Sequence, residues 1–183
     1  MASILPAREA IVSEHPVQAA DLVPLLVNHP FVPVGRIGIY AKGLLAGLYG
    51  NYLEAVHLLV PQIENSLRHI LRQQNVVTTS LNKDGIQEEF LLDKLLSMPE
   101  LKSILGENLV FDLRGLLVER FGSNLRNNVA HGLLDEEAFN SVEGCYCWWL
   151  TLRIICMPHV VARHKRTKHA AETDRDAKDH QGI

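Results

Sequence analysis

The feature that most constrains the fold is a long amphipathic stretch over residues 52–74. Apolar side chains recur in it with the period of an α-helix: Val56, Leu59, Ile63, Leu67, Ile70 and Leu71. No other part of the chain shows so regular a helical pattern. The sequence therefore predicts a long helix here, with one face directed toward the core.

Helical patterns cover most of the remaining chain as well. The apolar period, together with proline, glycine and capping residues, predicts helices over residues 7–15, 21–27, 36–49, 88–96, 98–105, 109–121 and 135–157. Ser97 is the predicted cap of the 98–105 helix, and Gly106 its end. Residues 76–86 instead contain β-favouring side chains and an Asn82-Lys83-Asp84-Gly85 turn signal. We therefore expect an all-α fold with one small β-hairpin.

Two glycines of the 36–49 helix, Gly43 and Gly47, are four residues apart. Small residues at this spacing allow two helices to approach closely. The same spacing occurs in membrane-helix dimers, but Arg36 and Lys42 make this segment too polar to span a bilayer. Close packing inside a soluble, cytoplasmic protein is the interpretation that we adopt.

Length and composition predict one helical domain with extensions at both ends. The chain has 183 residues, of which 47% are hydrophobic, and this suffices for one substantial core. Frequent prolines mark residues 1–32 as an N-terminal helical arm, and residues 33–163 form the predicted helical domain. Residues 164–183 are polar and rich in mixed charges, which predicts a disordered tail. The net charge of −3 argues against a protein that coats nucleic acid along its surface.

The stretch over residues 123–134 is the best candidate for chemistry. It places Arg126, Asn127 and His131 among apolar residues that can anchor them to a core. In a helix, Asn127 and His131 share a face, and Gly132 is a typical helix C-cap. The negative end of the helix dipole would then favour the protonated form of the imidazole.

These three side chains suit metal-free chemistry on a phosphodiester. Arg126 can bind phosphate oxygens through two parallel hydrogen bonds, and His131 can exchange a proton near neutral pH. Asn127 can orient the imidazole or a substrate oxygen. We therefore predict all three as catalytic residues. Arginine and histidine at similar spacing also occur in the polar tail, so it is the apolar context that distinguishes this copy.

The motif Arg126-Asn127-x-x-x-His131-Gly132 resembles the signature of the HEPN superfamily, and in particular a domain-of-unknown-function subfamily with the same Arg-Asn-x-x-x-His-Gly motif. The similarity extends to residues 40–44, 50–52 and 59–68. HEPN domains are helical, and many are metal-independent endoribonucleases whose site lies between two protomers. The resemblance therefore implies a HEPN-like helical bundle, an RNA substrate, a homodimer and no cofactor. It leaves open a role as a toxin or defence effector, with an antitoxin or regulatory partner.

Glu64 and Arg68 form a polar stripe on the long helix and allow two interpretations. In the first, they are a solvated ion pair, because charges on a helix are usually exposed. In the second, they lie beside the Arg126 motif, where Glu64 holds an arginine and Arg68 contacts a phosphate. On the second interpretation, both residues belong to the substrate-binding part of the site.

Two further classes of function compete with an endoribonuclease. The first is a non-catalytic helical dimerisation or interaction module of a larger regulatory protein, in which the motif residues have structural roles. A metal hydrolase ranks last, because the nine histidines are scattered and the cysteines lie in an apolar run without metal-ligand spacing. We therefore predict no metal site.

Overall fold

The structure, a computed structural model, describes the backbone of residues 3–179 and the side chains of residues 3–163. It is mostly helical and has one small antiparallel sheet, which confirms the all-α fold with a β-hairpin. The elements are α1 (Ile4–Glu14), α2 (Ala19–Leu26), a 3-10 helix (Val34–Arg36), α3 (Ile37–Leu48), α4 (Tyr52–Gln73), β1 (Thr79–Leu81), β2 (Gln87–Glu89), α5 (Leu92–Ser97), α6 (Pro99–Leu105), α7 (Glu107–Leu117), α8 (Leu125–Ala130), α9 (Glu136–Phe139) and α10 (Val142–Asp179).

Helix α4 is the centre of the core, as its apolar period predicts. It packs most extensively against α3 and α10, and it also contacts the short helices α5, α6, α8 and α9. Its first turn is capped by Asn51, whose side chain accepts a hydrogen bond from the Glu54 N–H at 3.1 Å. Because so many elements meet α4, its side chains can interact with residues from distant parts of the sequence.

The glycines of α3 permit the close contacts that their spacing predicts. A Cβ atom on Gly43 would lie 2.7 Å from Leu59 Cδ2 of α4, and one on Gly47 would lie 2.1 Å from Trp148 Cδ1 of α10. The indole of Trp148 is buried there and donates from Nε1 to the Leu44 carbonyl at 2.8 Å. Helix α3 therefore packs closely against both α4 and α10.

Substitution of Gly47 by alanine is expected to lower the free energy of unfolding by about 1–3 kcal/mol, because the new methyl group overlaps the buried indole. Gly38, in the first turn of the same helix, is the matched control, since a Cβ there meets no atom within 4 Å. Gly38→Ala should be neutral or stabilise by about 0.5–1 kcal/mol. Urea unfolding of the two variants measures the difference, and equal stabilities would contradict this packing.

The hairpin lies a few residues later than its β-favouring side chains suggest. Its strands pair Thr79 with Glu89 and Leu81 with Gln87. The turn between them falls at the predicted position, and Gly85 adopts a φ of +73° there.

The helix predicted over residues 88–96 is wrong in its first part. Glu88 and Glu89 belong to β2, and α5 begins only at Leu92. The helical period of the local sequence is therefore overridden by pairing with β1. The expected cap at Ser97 is also wrong: its hydroxyl donates to the Asp93 carbonyl at 2.8 Å, and Met98 precedes α6 without a side-chain cap. Gly106 ends α6 as predicted, with a φ of +82°.

The helix predicted from Asp135 onward is divided in two. Asp135 caps α9 by accepting a hydrogen bond from the Ala138 N–H at 2.8 Å, and the chain then turns before α10. Helix α10 continues through Pro158. Of the two adjacent tryptophans, Trp148 is buried, whereas Trp149 is half-buried and stacks on Tyr146 with ring centroids 5.6 Å apart.

Two of the three cysteines of α10 lie in the core rather than in a polar cluster. Cys145 and Cys147 are buried and unpaired, and burial raises the pKa of the Cys147 thiol to about 12. Within residues 3–163, no group of three or more histidine, cysteine, aspartate or glutamate side chains is arranged to hold a metal ion. Cys147 is therefore a protonated core thiol at neutral pH.

At the C-terminal end, the backbone of α10 is helical to Asp179, beyond the boundary at which the disordered tail is predicted to begin. The side chains of residues 164–179 and all of residues 180–183 lie outside the described part of the chain. Within residues 136–163, a window of 18 residues has a mean hydropathy of 1.3, so this segment is long and apolar enough to cross a membrane. Several of these side chains are core residues, however, and core helices of soluble proteins meet the same criterion.

Candidate functional site

The motif forms a short helix, α8, with unusual backbone conformations at both ends. Asn124 precedes it in the left-handed region, at φ +45° and ψ +33°, which asparagine tolerates better than most residues. Gly132 follows it at φ +64°. The Leu133 N–H bonds the Asn128 carbonyl at 2.9 Å, and the Gly132 N–H bonds the Val129 carbonyl at 3.2 Å. This is a Schellman cap, and it confirms the predicted end of the helix at Gly132.

Apolar packing and one ion pair hold α8 against the rest of the molecule. Leu125 is buried in the core, and Val129 packs at the edge of the core. Arg126 forms an ion pair with Glu64 of α4, with its Nε donating to Glu64 Oε2 at 3.0 Å. The apolar contact and the ion pair thus fix the orientation of α8 against the long helix.

Glu64 is a buried carboxylate that lies between two arginines. One oxygen accepts the hydrogen bond from Arg126, and the other accepts from Arg68, one helical turn further along α4. The Glu64 side chain is only 11% exposed, so its charge requires compensation by both guanidinium groups. It therefore links the motif to α4.

The second arginine extends the network to the hairpin. Arg68 Nη2 also donates to the carbonyl of Phe90 at 2.9 Å, and its Nε lies 3.5 Å from Glu89 of β2. Glu89 forms a further ion pair with Arg72, which donates from Nε to Thr78 Oγ1 at 2.9 Å. The hairpin, α4 and α8 thus share one polar network.

Amide side chains organise the start of α8. Asn127 Oδ1 accepts a hydrogen bond from Arg126 Nη1 at 3.2 Å, and Asn127 Nδ2 donates to Asn124 Oδ1 at 2.7 Å. Asn128 Nδ2 donates to the Ser123 carbonyl at 3.1 Å. Asn127 therefore orients the guanidinium group of Arg126, rather than the imidazole as its spacing suggested.

Arg126 keeps some donors available despite these contacts. Its Nε binds Glu64 and its Nη1 binds Asn127, but Nη2 makes no hydrogen bond within the described residues. The side chain is 29% exposed. The guanidinium group is therefore held from behind and keeps a solvent-reachable edge that can receive an oxyanion.

His131 stands at the C-terminal end of α8 and is exposed. Its imidazole makes no hydrogen bond or ion pair to the part of the chain that the structure describes. Only its backbone is fixed, by the N–H bond to the Asn127 carbonyl at 3.0 Å. The ring is therefore open to solvent and can contact a bound molecule.

The predicted site residues are brought together in part. Arg126, Asn127, Glu64 and Arg68 form one connected network, and His131 lies at the far end of the same short helix, outside that network. Glu64 and Arg68 are not the solvated pair of the first interpretation, because their side chains are only 11% and 15% exposed. Arg68 is bound on several sides, which leaves Arg126 as the more available cation.

Sequence reasoning missed the residues that complete the network. Asn124 lies within the motif stretch, and its preference for left-handed backbone was an available signal. Glu89 and the Phe90 carbonyl carried no such signal, because their role depends on how the hairpin folds back onto α4.

The network carries an excess of one positive charge. Three arginines, Arg68, Arg72 and Arg126, form ion pairs with two carboxylates, Glu64 and Glu89.

Comparisons of this chain with protein-family models, curated proteins and solved structures find no match. The HEPN resemblance therefore remains an expectation based on the motif residues.

Proposed function

We propose that this protein is a metal-independent endoribonuclease of the HEPN type, with a HEPN-like bundle fold. The observation that carries the proposal is the pairing of a held but partly open arginine with an exposed histidine on one capped helix. Arg126 is braced by Glu64 and Asn127, while His131 has no partner within the described residues. A fixed guanidinium group and an exposed imidazole are the two kinds of group that cleavage of a phosphodiester requires.

The proposed reaction uses the 2′-hydroxyl of RNA as the nucleophile. One His131 imidazole accepts the proton of this hydroxyl while the 2′-oxygen forms a bond to phosphorus. The bond from phosphorus to the 5′-oxygen breaks, and a protonated imidazole gives that oxygen its proton. Arg126 stabilises the negative charge that develops on the phosphoryl oxygens. The products are a 2′,3′-cyclic phosphate and a 5′-hydroxyl.

Two histidines in opposite protonation states serve this reaction better than one. Each chain supplies one His131, and we propose that a homodimer places two copies of the motif at one composite cleft. Pairing would also double the local excess of positive charge on a chain whose net charge is −3. A cytoplasmic location and a role as a toxin or defence effector, restrained by a protein partner, belong to the same proposal.

The test is cleavage of a mixed RNA pool by the wild-type protein in excess EDTA. The expected result is cutting that resists the chelator and leaves 2′,3′-cyclic phosphate ends. The same sequences made as DNA, or with 2′-O-methyl groups, should remain intact because they lack the nucleophile. If purified wild-type protein leaves the RNA intact at micromolar concentration, or if cutting requires added Mg²⁺, the proposal is wrong.

The second candidate is a helical interaction module without catalysis. The observation in its favour is that Arg126 and Asn127 are already hydrogen-bonded inside the chain, as structural residues are. Exposed aromatic rings at Phe111 and Phe121, which are 76% and 106% exposed, offer an apolar surface near the start of the motif. This candidate predicts stable association without RNA cleavage, which chromatography and the cleavage assay together distinguish.

A further inference from the structure

An exposed aromatic ring lies in the turn between α7 and α8. Phe121 is 106% exposed, so its phenyl ring projects fully into solvent. The backbone that carries it is fixed: the Gly122 N–H bonds the Glu119 carbonyl at 3.0 Å, and the Ser123 N–H bonds the Gly115 carbonyl at 3.2 Å. The ring is therefore held in a defined position outside the core.

A groove lies beside this ring, between α7 and α10. Its volume is about 520 Å³, and Phe111, Leu116 and Tyr146 supply most of its apolar lining. Gly115 also lines it, and a Cβ atom there would meet no atom within 4 Å, so the space above α7 is open. A cavity of about 150 Å³ is already sufficient for a benzene molecule. The groove is therefore large enough for a phenyl ring from another molecule.

The charges beside the ring and the groove are of opposite sign. Arg120 precedes Phe121, is exposed and has no hydrogen bond or ion pair among the described side chains. Glu143 lines the groove, and it too is exposed and unpaired within the same part of the chain. The other carboxylate of the groove, Asp112, lies 3.8 Å from Arg153. One free cation beside the ring thus matches one free anion at the groove, and such complementarity sets how two surfaces dock.

A second copy of this chain fits the surface, because the ring and the groove lie next to each other. In a contact with two-fold symmetry, the same patch of each copy meets the other, so a ring beside its complementary groove is used twice. The rings of Phe111 and Phe121, 76% and 106% exposed, would remove about 300–500 Å² of each chain from water. This is roughly half of the ~800 Å² per partner that a stable interface buries. Val142 and Trp149 share a face of α10 with Tyr146 and extend the apolar area.

We propose that Arg120, Phe121 and the groove between α7 and α10 form the surface through which two copies of this chain associate. Phe121 of each copy enters the partner's groove, and Arg120 of each copy pairs with the partner's Glu143. This inference rests on the homodimer of the proposed function and names the surface that forms it. Ser123 lines the groove and leads into α8, so the contact brings the start of both motif helices to the interface.

Sedimentation velocity of the full chain at micromolar concentrations, without RNA, measures the association. Wild-type protein should form a dimer. Phe121→Ala should weaken dimerisation at least about tenfold, which is the usual effect of truncating a central aromatic side chain at an interface. Leu81→Ala, which removes a 72% exposed side chain of the hairpin, is the matched control and should dimerise as the wild type does. Both side chains are exposed, so neither substitution should alter the fold.

Charge reversal tests the reciprocal pairing. Arg120→Glu and Glu143→Arg each place like charges opposite one another in a homodimer, and each should weaken dimerisation about tenfold or more. An equimolar mixture of the two variants should recover dimers, because both contacts of the mixed dimer then join opposite charges. Lys83→Glu, at an exposed lysine of the hairpin turn, is the control for a change of charge and should have no effect.

Three results would overturn the inference. They are a wild-type chain that is monomeric throughout the concentration range, a Phe121→Ala protein that dimerises normally, and a mixture of the charge variants that is no more dimeric than either alone. Failure of the ribonuclease proposal is a separate result, since RNA cleavage is not the quantity measured here. A protein that dimerises as described and leaves RNA intact would support this surface and exclude the enzyme.

Discussion

Replacement of His131 by alanine is expected to reduce RNA cleavage about 10²- to 10⁴-fold, the usual contribution of general acid or base catalysis. The Tm should remain within a degree or two of the wild type, because the imidazole is exposed and makes no hydrogen bond or ion pair within the described residues. Single-turnover cleavage and thermal unfolding measure the two quantities on the same preparations.

His15 provides the matched control, since it is an exposed histidine that follows α1. His15→Ala should retain full activity, and any loss there would indicate a general effect of removing an imidazole. A His131→Ala protein that remains folded and cuts RNA at the wild-type rate would exclude His131 as the catalyst. A variant that loses both activity and Tm would instead assign His131 a structural role, which the exposed ring does not predict.

Replacement of Glu64 by alanine is expected to lower the free energy of unfolding by about 3 kcal/mol. The substitution leaves Arg68 and Arg126 without their shared carboxylate, and these side chains are only 15% and 29% exposed. Glu64→Gln should cost less, because its amide oxygen still accepts one hydrogen bond. Urea unfolding measures the change, and Glu100→Ala, at an exposed glutamate of α6, is the control and should be close to neutral.

A double-mutant cycle separates the link to the motif from general effects of burial. In an Arg126→Ala background, removal of Glu64 should cost less than in the wild type, by a coupling energy of about 0.5–3 kcal/mol. RNA cleavage should also fall in Glu64→Gln while the protein is still folded, because Arg126 loses its brace. Additive effects of the two substitutions would contradict a direct role of Glu64 in holding Arg126.

Much of the fold was predictable from local patterns. The helical period of residues 52–74 predicted the bounds of α4 to within one residue. The spacing of Gly43 and Gly47 predicted the close contacts of α3. These features are encoded by nearby residues. Strand β2 was not predictable in the same way, because Glu88 and Glu89 follow a helical pattern and become extended only by pairing across the turn.

In the candidate site, too, the features set by nearby residues were predictable and those set by distant residues were harder to predict. The motif helix and its Gly132 cap follow from a single stretch of sequence. The contact of Glu64 with Arg126 joins residues 62 positions apart, and only one of two interpretations of Glu64 foresaw it. The Glu89 contact was not foreseen, since it depends on the folded hairpin. Asn127 does not orient the imidazole, because its amide is hydrogen-bonded to its neighbours Arg126 and Asn124.

The shortness of α8 has a consequence for transfer of the motif between proteins. A helix of six residues does not form by itself in water, and here its orientation comes from a buried leucine and a carboxylate on another helix. A graft of residues 123–134 onto a foreign scaffold would therefore carry the arginine and the histidine but not their geometry. The smallest transplantable unit is the pair of segments, α8 together with the turn of α4 that contains Glu64.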